Sequence, residues 1–283
     1  PGEFGTFPAY EWNGNRRRWG DHNVIHFEEG GPLDDTWELP DLYENLEELE
    51  MPALALPHHT AYKPGERGKD WSMFDADLSP VMEVFSAHGS SEGVDTPVAM
   101  DRNPSMGPRA SGTGLQDGLD DGCKVGVIAS NDSGGLPGSW NDGVAGLWAE
   151  ELTREGIWDA LTNRRTYGST GDRITLWYEF DGAPMGSTVE TVEDPTATVE
   201  VDCAQALDRV ELVHDGDVAE TYTHQGTWEY PTDGERTEFS VLVEMGWGPK
   251  DNYGDWHGTE NDWVGDATVE GGDLRTVEPR FNG

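Results

Sequence analysis

Short apolar or aromatic runs recur through the first half of the chain: Phe4–Tyr10, Val24–Phe27, Ala53–Leu56, Val81–Phe85 and Val125–Ala129. Each has strand length and is bounded by Gly, Pro, Asp or Asn, the residues that end strands. Between them the spacing predicts helices over Leu39–Leu49, Leu115–Asp121 and Thr153–Asn163. In the last of these Thr153 is placed to cap, Ile157, Trp158 and Leu161 share a face, and Arg164 and Arg165 follow where the helix dipole favours cations. Strands alternating with helices predict an α/β layer or barrel with a mainly parallel sheet over residues 1–170.

From Arg173 the period changes to two. Ile174, Leu176 and Tyr178 alternate in ITLWYEF, Val199 and Val201 in TATVEVD, and Val241 and Val243 in EFSVLVE, with turns such as DGAPMG, HDGD and PTDGE between them. This predicts an all-β module over 171–283, a β-sandwich. The expected fold class is therefore α/β plus all-β.

Hydrophobic residues make up only 35% of the 283 positions, but they include 12 tryptophans, whose large buried area helps a Gly-rich chain form a core. The formal charge of -38 comes from 56 acidic against 18 basic residues, spread along the whole chain. Lys63, Lys69, Lys124 and Lys250 are the only lysines. Spread acid with scarce lysine predicts a halophilic protein, because at molar salt the Debye length shrinks to about 3 Å and self-repulsion is screened. An ordinary acidic protein is the alternative. Nucleic acid is excluded as a partner by the lack of a basic surface. No apolar run approaches the roughly 18 residues of a membrane span, so no membrane partner is expected. Two cysteines, Cys123 and Cys203, fit a cytoplasmic protein without requiring one.

Histidine is concentrated where chemistry is expected. Five of the 8 lie early: His22, His26, His58, His59 and His88. Imidazole beside carboxylate suits Zn, Mn or Fe. Glu11, His58, His59, His88 and Asp132 each follow a predicted strand, the end at which functional side chains converge in α/β folds. His22 precedes its strand, and His26 lies inside it. Asp132 also suits a turn in NDSGG. Arg67 and Lys69, on one Gly-rich loop in a cation-poor chain, could hold an anionic substrate group, or simply balance charge.

The stretches PAYEWNGN, GDHNVIHF, ALPHHTAYKPGERGKDW, SPVMEVFSAHGSSEG, GVIASNDSGGLPG, LWAEELTREGIWDALTNRRTYGSTGDRI and GAPMGS resemble the DUF3604 family, of uncharacterised function and related to the PHP (polymerase and histidinol phosphatase) metal-dependent phosphoesterases. The resemblance covers nearly the entire chain. It implies a distorted PHP-type βα barrel that binds up to three divalent metals, in this chain partial, because the family's upstream His-x-His and Asp-His motifs would precede Pro1. Glu11 would match the bridging glutamate and His22 the histidine after it. His59, or its neighbour His58, would match a later-strand histidine, and Asp132 the aspartate of a terminal Gly-Ser-Asp-x-His motif. Gly134 stands where that motif has its histidine.

The implied activity is metal-dependent hydrolysis of a small anionic phosphoester, with metal ligands Glu11, His22, His59 and Asp132. His88 or His58 would shuttle the proton, and Arg67 and Lys69 would bind substrate. The alternative is a non-enzymatic binding or scaffold protein with a degenerate metal site.

Overall fold

The computed structural model describes residues 5–94, 96, 110–132, 143–190, 193–204, 207–223, 268, 273–274 and 276. The chain divides into two units, Pro1–Gln225 and Gly226–Gly283, and the strands and helices of the described residues all belong to the first. The expected strand in EFSVLVE and the motif position Gly134 lie outside the described residues.

The first sheet contains β1 (Ala9–Trp12), β2 (Asp21–His26) and β3 (Ala53–His58), in that order and antiparallel throughout. A short helix, α1 (Arg16–Trp19), turns the chain from β1 into β2. Helix α2 (Leu39–Glu47) lies between β2 and β3 with Pro40 in its first turn, where a missing N–H costs nothing. Its buried Leu39, Leu42, Tyr43 and Leu46 pack with Trp12, Trp19, Val24 and Ala55 to form the main core.

A second sheet has β4 (Val81–Ser86) between the short β5 (Gly89–Ser90) and β6 (Gly126–Ala129). The β4–β6 pair is parallel, the only such pair among the described residues. Helix α3 (Leu115–Asp120) precedes β6. Leu54, Leu56, Val81 and Leu161 form the second core cluster. β7 (Val144–Leu147) pairs with β8 (Thr166–Ser169) around α4 (Arg154–Thr162), which Thr153 caps through Gly156 N–H at 3.0 Å. β9 (Ile174–Phe180) lies between β10 (Ala183–Pro184) and β11 (Ala197–Cys203), and β12 (Arg209–His214) forms a hairpin with β13 (Asp217–Thr223). Trp148 fastens β9 to the preceding elements: its indole N–H donates to Leu176 O at 2.8 Å and its ring stacks edge-on against Trp177.

These pairings correct the expected partial PHP-type βα barrel. The described residues form mostly antiparallel sheet with few helices and no closed barrel. The expected runs did become strands and helices, but hydrophobic period does not encode strand direction. After β2 the chain comes back to the end of the sheet it left: Phe27 N–H donates to Pro52 O at 2.9 Å and His26 pairs with Ala53. The segment 27–52 is thus a looped excursion rather than the crossover a parallel pair requires. The alternating strands ITLWYEF and TATVEVD pair as β9 and β11. Among the described residues no helix is long and apolar enough to cross a membrane.

Candidate metal centre

Side chains alternate faces along a strand, and directly paired residues share a face. Glu11 pairs with Asn23, and Asp21 with His58. Glu11, Asp21 and His58 therefore project from one face of the first sheet. His22 pairs with Trp12 and Pro57 and points to the other face, where it packs edge-on against Trp12 and Tyr43.

On the first face three buried imidazoles lie together, His59 and His88 stacked and His58 tilted against His59. The His58 and His59 ring centres lie 3.9 Å apart, and those of His59 and His88 4.4 Å. His59 follows β3 at φ 32°, and Asp132, just past β6, has φ 51°. Left-handed backbone is uncommon for residues other than glycine and concentrates at functional sites.

Two ligand triads share His59: Glu11, His58 and His59, and His59, His88 and Asp132. Within each triad one ligand atom from each residue lies within 4.8 Å of the others. This spacing, together with the mix of imidazole and carboxylate, fits a divalent cation. A buried polar atom fits it as well. His59 Nδ1, on the residue both triads share, is buried and makes no hydrogen bond among the described residues, and leaving such an atom unsatisfied is costly.

The surrounding charges set the protonation states. Asp132 lies 2.6 Å from His88 Nε2 and 3.2 Å from His58 Nε2. Glu83, 2% exposed, sits 2.9 Å from His58 Nδ1 and accepts the His59 backbone N–H at 3.3 Å and the Ser130 hydroxyl. Burial opposes charge on His58, yet Glu83 and Asp132 outweigh it and push its pKa up to about 10. His59 moves the opposite way. Burial, with His58 and His88 beside it, holds it well below the usual imidazole range, so its lone pair is available with no proton to displace. Burial opposes the charge on Asp132, but the hydrogen bonds from His58 and His88 prevail and hold its pKa far below the carboxylate range. His88 Nδ1 lies on the other side 2.6 Å from the Tyr62 hydroxyl.

Asp21 is fully buried, with Arg16 Nε and Arg67 NH1 each 3.2 Å away and His59 Nε2 at 3.6 Å. These are ion-pair distances without hydrogen-bond alignment. Burial accordingly raises the Asp21 pKa against the pull of both arginines.

Of the eight residues that the sequence nominates, Glu11, His58, His59, His88 and Asp132 come together in this cluster. Arg67 reaches the edge through Asp21 and remains 19% exposed. Lys69 lies inside the protein at 1% exposure, and its Nζ donates to His22 Nε2 at 3.0 Å. Burial lowers its pKa to about 7, and burial and Lys69 together keep His22 neutral. Asp21, Tyr62 and Glu83 are additions made by the structure. Glu83 carried a readable signal, a carboxylate in the middle of the apolar run VMEVFS. Asp21 carried only its place beside His22, which does not reveal which of the two faces the cluster.

Residues 137–204 match the family described as "Protein of unknown function (DUF3604)". That segment carries β7 to β11 and begins after the last residue of the histidine cluster. An uncharacterized protein of Chlamydia pneumoniae is 28% identical over 77% of this chain and 38% of its own length. Uncharacterized proteins of Chlamydia muridarum and Chlamydia trachomatis are 25% and 23% identical, each over 69% of this chain and 34% of theirs. The chain thus spans little more than a third of the curated relatives it matches. No solved structure matches it significantly. The similarity to DUF3604 is thus carried by residues 137–204, and the chlamydial proteins extend the similarity over more of the chain without naming a function.

Proposed function

We propose that this chain contributes the divalent-metal centre of a hydrolase acting on phosphoesters. The observation that carries this reading is the sharing of His59 by two ligand triads with donor atoms within 4.8 Å. Zn, Mn and Fe are the metals that suit the donor set. A divalent cation, when bound, acidifies water towards neutral pH and polarises a phosphoryl oxygen.

The remaining chemistry belongs to the protein. With the metal in the Glu11–His58–His59 triad, His88, held from its two ring nitrogens by Tyr62 and Asp132, is the imidazole left to pass a proton to or from the reacting group. With the metal in the other triad, His58, held by Glu83, takes that part. Arg67, partly exposed, supplies the cation for an anionic substrate group, while Lys69 steadies His22 behind the sheet.

The test is metal content and turnover of the protein purified in molar KCl, with p-nitrophenyl phosphate and its diester as substrates. At least one equivalent of bound metal and metal-stimulated release of nitrophenol are expected, and His59→Ala abolishes both. Absence of bound metal, or unchanged metal content in His59→Ala, overturns the proposal. Metal bound without turnover leaves the alternative of a binding or scaffold protein.

A further inference from the structure

A cleft lies towards the far end of the β4–β6 pair. Asn163, Arg164, Arg165, Gly186, Ser187 and Thr188 line most of a cleft of about 320 Å³, near the lower end of small-ligand pockets. The Arg164 side chain packs where the parallel strands begin: a Cβ on Gly126 would meet Arg164 Cβ at 2.9 Å and Val81 Cγ1 at 3.2 Å. The histidine cluster follows the other ends of the same strands, past Ser86 and Ala129. Six residues of β4, at roughly 3.3 Å each, separate the two.

Arg164 is out of keeping with its position. It follows the C-cap Asn163 of α4 and has φ 57°, the position where helices favour glycine. Its charge is also unanswered: among the described residues no carboxylate lies within 4.0 Å of it, in a chain with 56 acidic residues against 18 basic. Nε donates to Gly186 O at 3.1 Å, which holds the guanidinium against the cleft wall. Its two terminal nitrogens have no partner among the described residues. The backbone of Gly186, at φ 85°, approaches so closely that a Cβ there would lie 2.2 Å from Asn163 O. Arg165 differs, since its guanidinium is engaged by Trp148 O and Asp159.

We propose that this cleft binds a tetrahedral oxyanion, a phosphate or sulfate group, through the forked N–H pair of Arg164 with the Ser187 and Thr188 hydroxyls at its mouth. A planar guanidinium presents two parallel donors to such a group. The site is independent of the metal centre and of the activity proposed for it.

The experiment is calorimetric titration with inorganic phosphate at constant molar KCl, after treatment with EDTA. Saturable one-site binding is expected, with sulfate competing. Arg164→Gly removes the guanidinium and at the same time relieves the left-handed backbone, so it folds at least as well as the parent and binds phosphate at least tenfold more weakly. Ser187→Ala weakens binding a few-fold. If glycerol phosphate competes better than phosphate, the natural ligand is an ester; if it competes less well, the ligand is the free anion. Equal phosphate affinity in Arg164→Gly overturns the proposal, as does binding that disappears with EDTA or never saturates.

Discussion

Replacing Glu83 by Gln deletes one charge from the cluster and leaves its shape intact. The amide oxygen can still accept from the His59 backbone, and the NH2 that replaces the other oxygen can donate to the Ser130 hydroxyl, which turns from donor to acceptor. What is lost is the negative partner 2.9 Å from His58 Nδ1, with both side chains 3% exposed or less. The His58 pKa rises from 6.5 to about 10 under two carboxylates. At 1.36 kcal/mol per unit this is about 5 kcal/mol of preference for the protonated folded state, and the Glu83 charge is the largest of the contributions that favour it. A group whose folded pKa is raised stabilises fully below its unfolded pKa and loses that contribution as pH rises through the folded value. Urea unfolding of the EDTA-treated protein in molar KCl should therefore show Glu83→Gln weaker by about 2–3 kcal/mol near pH 6, roughly 5–10 °C in melting temperature. The gap should narrow between pH 6.5 and about 10. A deficit of the same size at every pH would refute the charge-pairing argument and assign Glu83 a packing role only.

Two further outcomes test the framework around the site. Gly68→Ala would place a Cβ 2.2 Å from Tyr62 O and 2.6 Å from Thr113 Cγ2. It should shift the loop that carries Arg67 and Lys69 and lower stability by about 1–3 kcal/mol, read from the urea midpoint; an unchanged midpoint would show the loop to be soft. The charge of -38 should make the melting temperature climb between dilute buffer and 2 M KCl, and a flat response would remove the reading of a salt-adapted surface.

The elements themselves were legible where burial follows a simple period. Leu39–Leu49 became α2, Thr153–Asn163 became α4, and the runs around Ala53, Val81 and Val125 became β3, β4 and β6. Their assembly was not legible. Direction is set by where a connection lands, and Phe27 bonding to Pro52 is a contact between residues 25 positions apart that no local pattern announces. The same limit applies within the site. GDHNVIHF offers Asp21 and His22 side by side, and a strand turns one to each face. Only the pairing of Asp21 with His58 decides that Asp21 faces the cluster while His22 faces Trp12 and Tyr43. His58, His59, His88 and Asp132 were readable because each emerges just past an apolar run, a position that survives errors in strand direction.

The cluster carries an energetic burden that packing alone does not explain. Left-handed backbone at His59 and Asp132 costs on the order of 1–3 kcal/mol at each residue. The buried His59 Nδ1, which makes no hydrogen bond among the described residues, adds a desolvation penalty of about the same size. Burial, reinforced by the neighbouring imidazoles, keeps His59 neutral, while His58 is charged by its carboxylates. Apolar replacements would relieve the desolvation and charge costs at once, though not the backbone strain. A cation would relieve them differently, by accepting the idle lone pair and by removing the proton that His58 holds against its burial. Strain, an unsatisfied polar atom and opposed protonation states thus converge on the same few side chains, and the ligand that would resolve them is the one their chemistry selects.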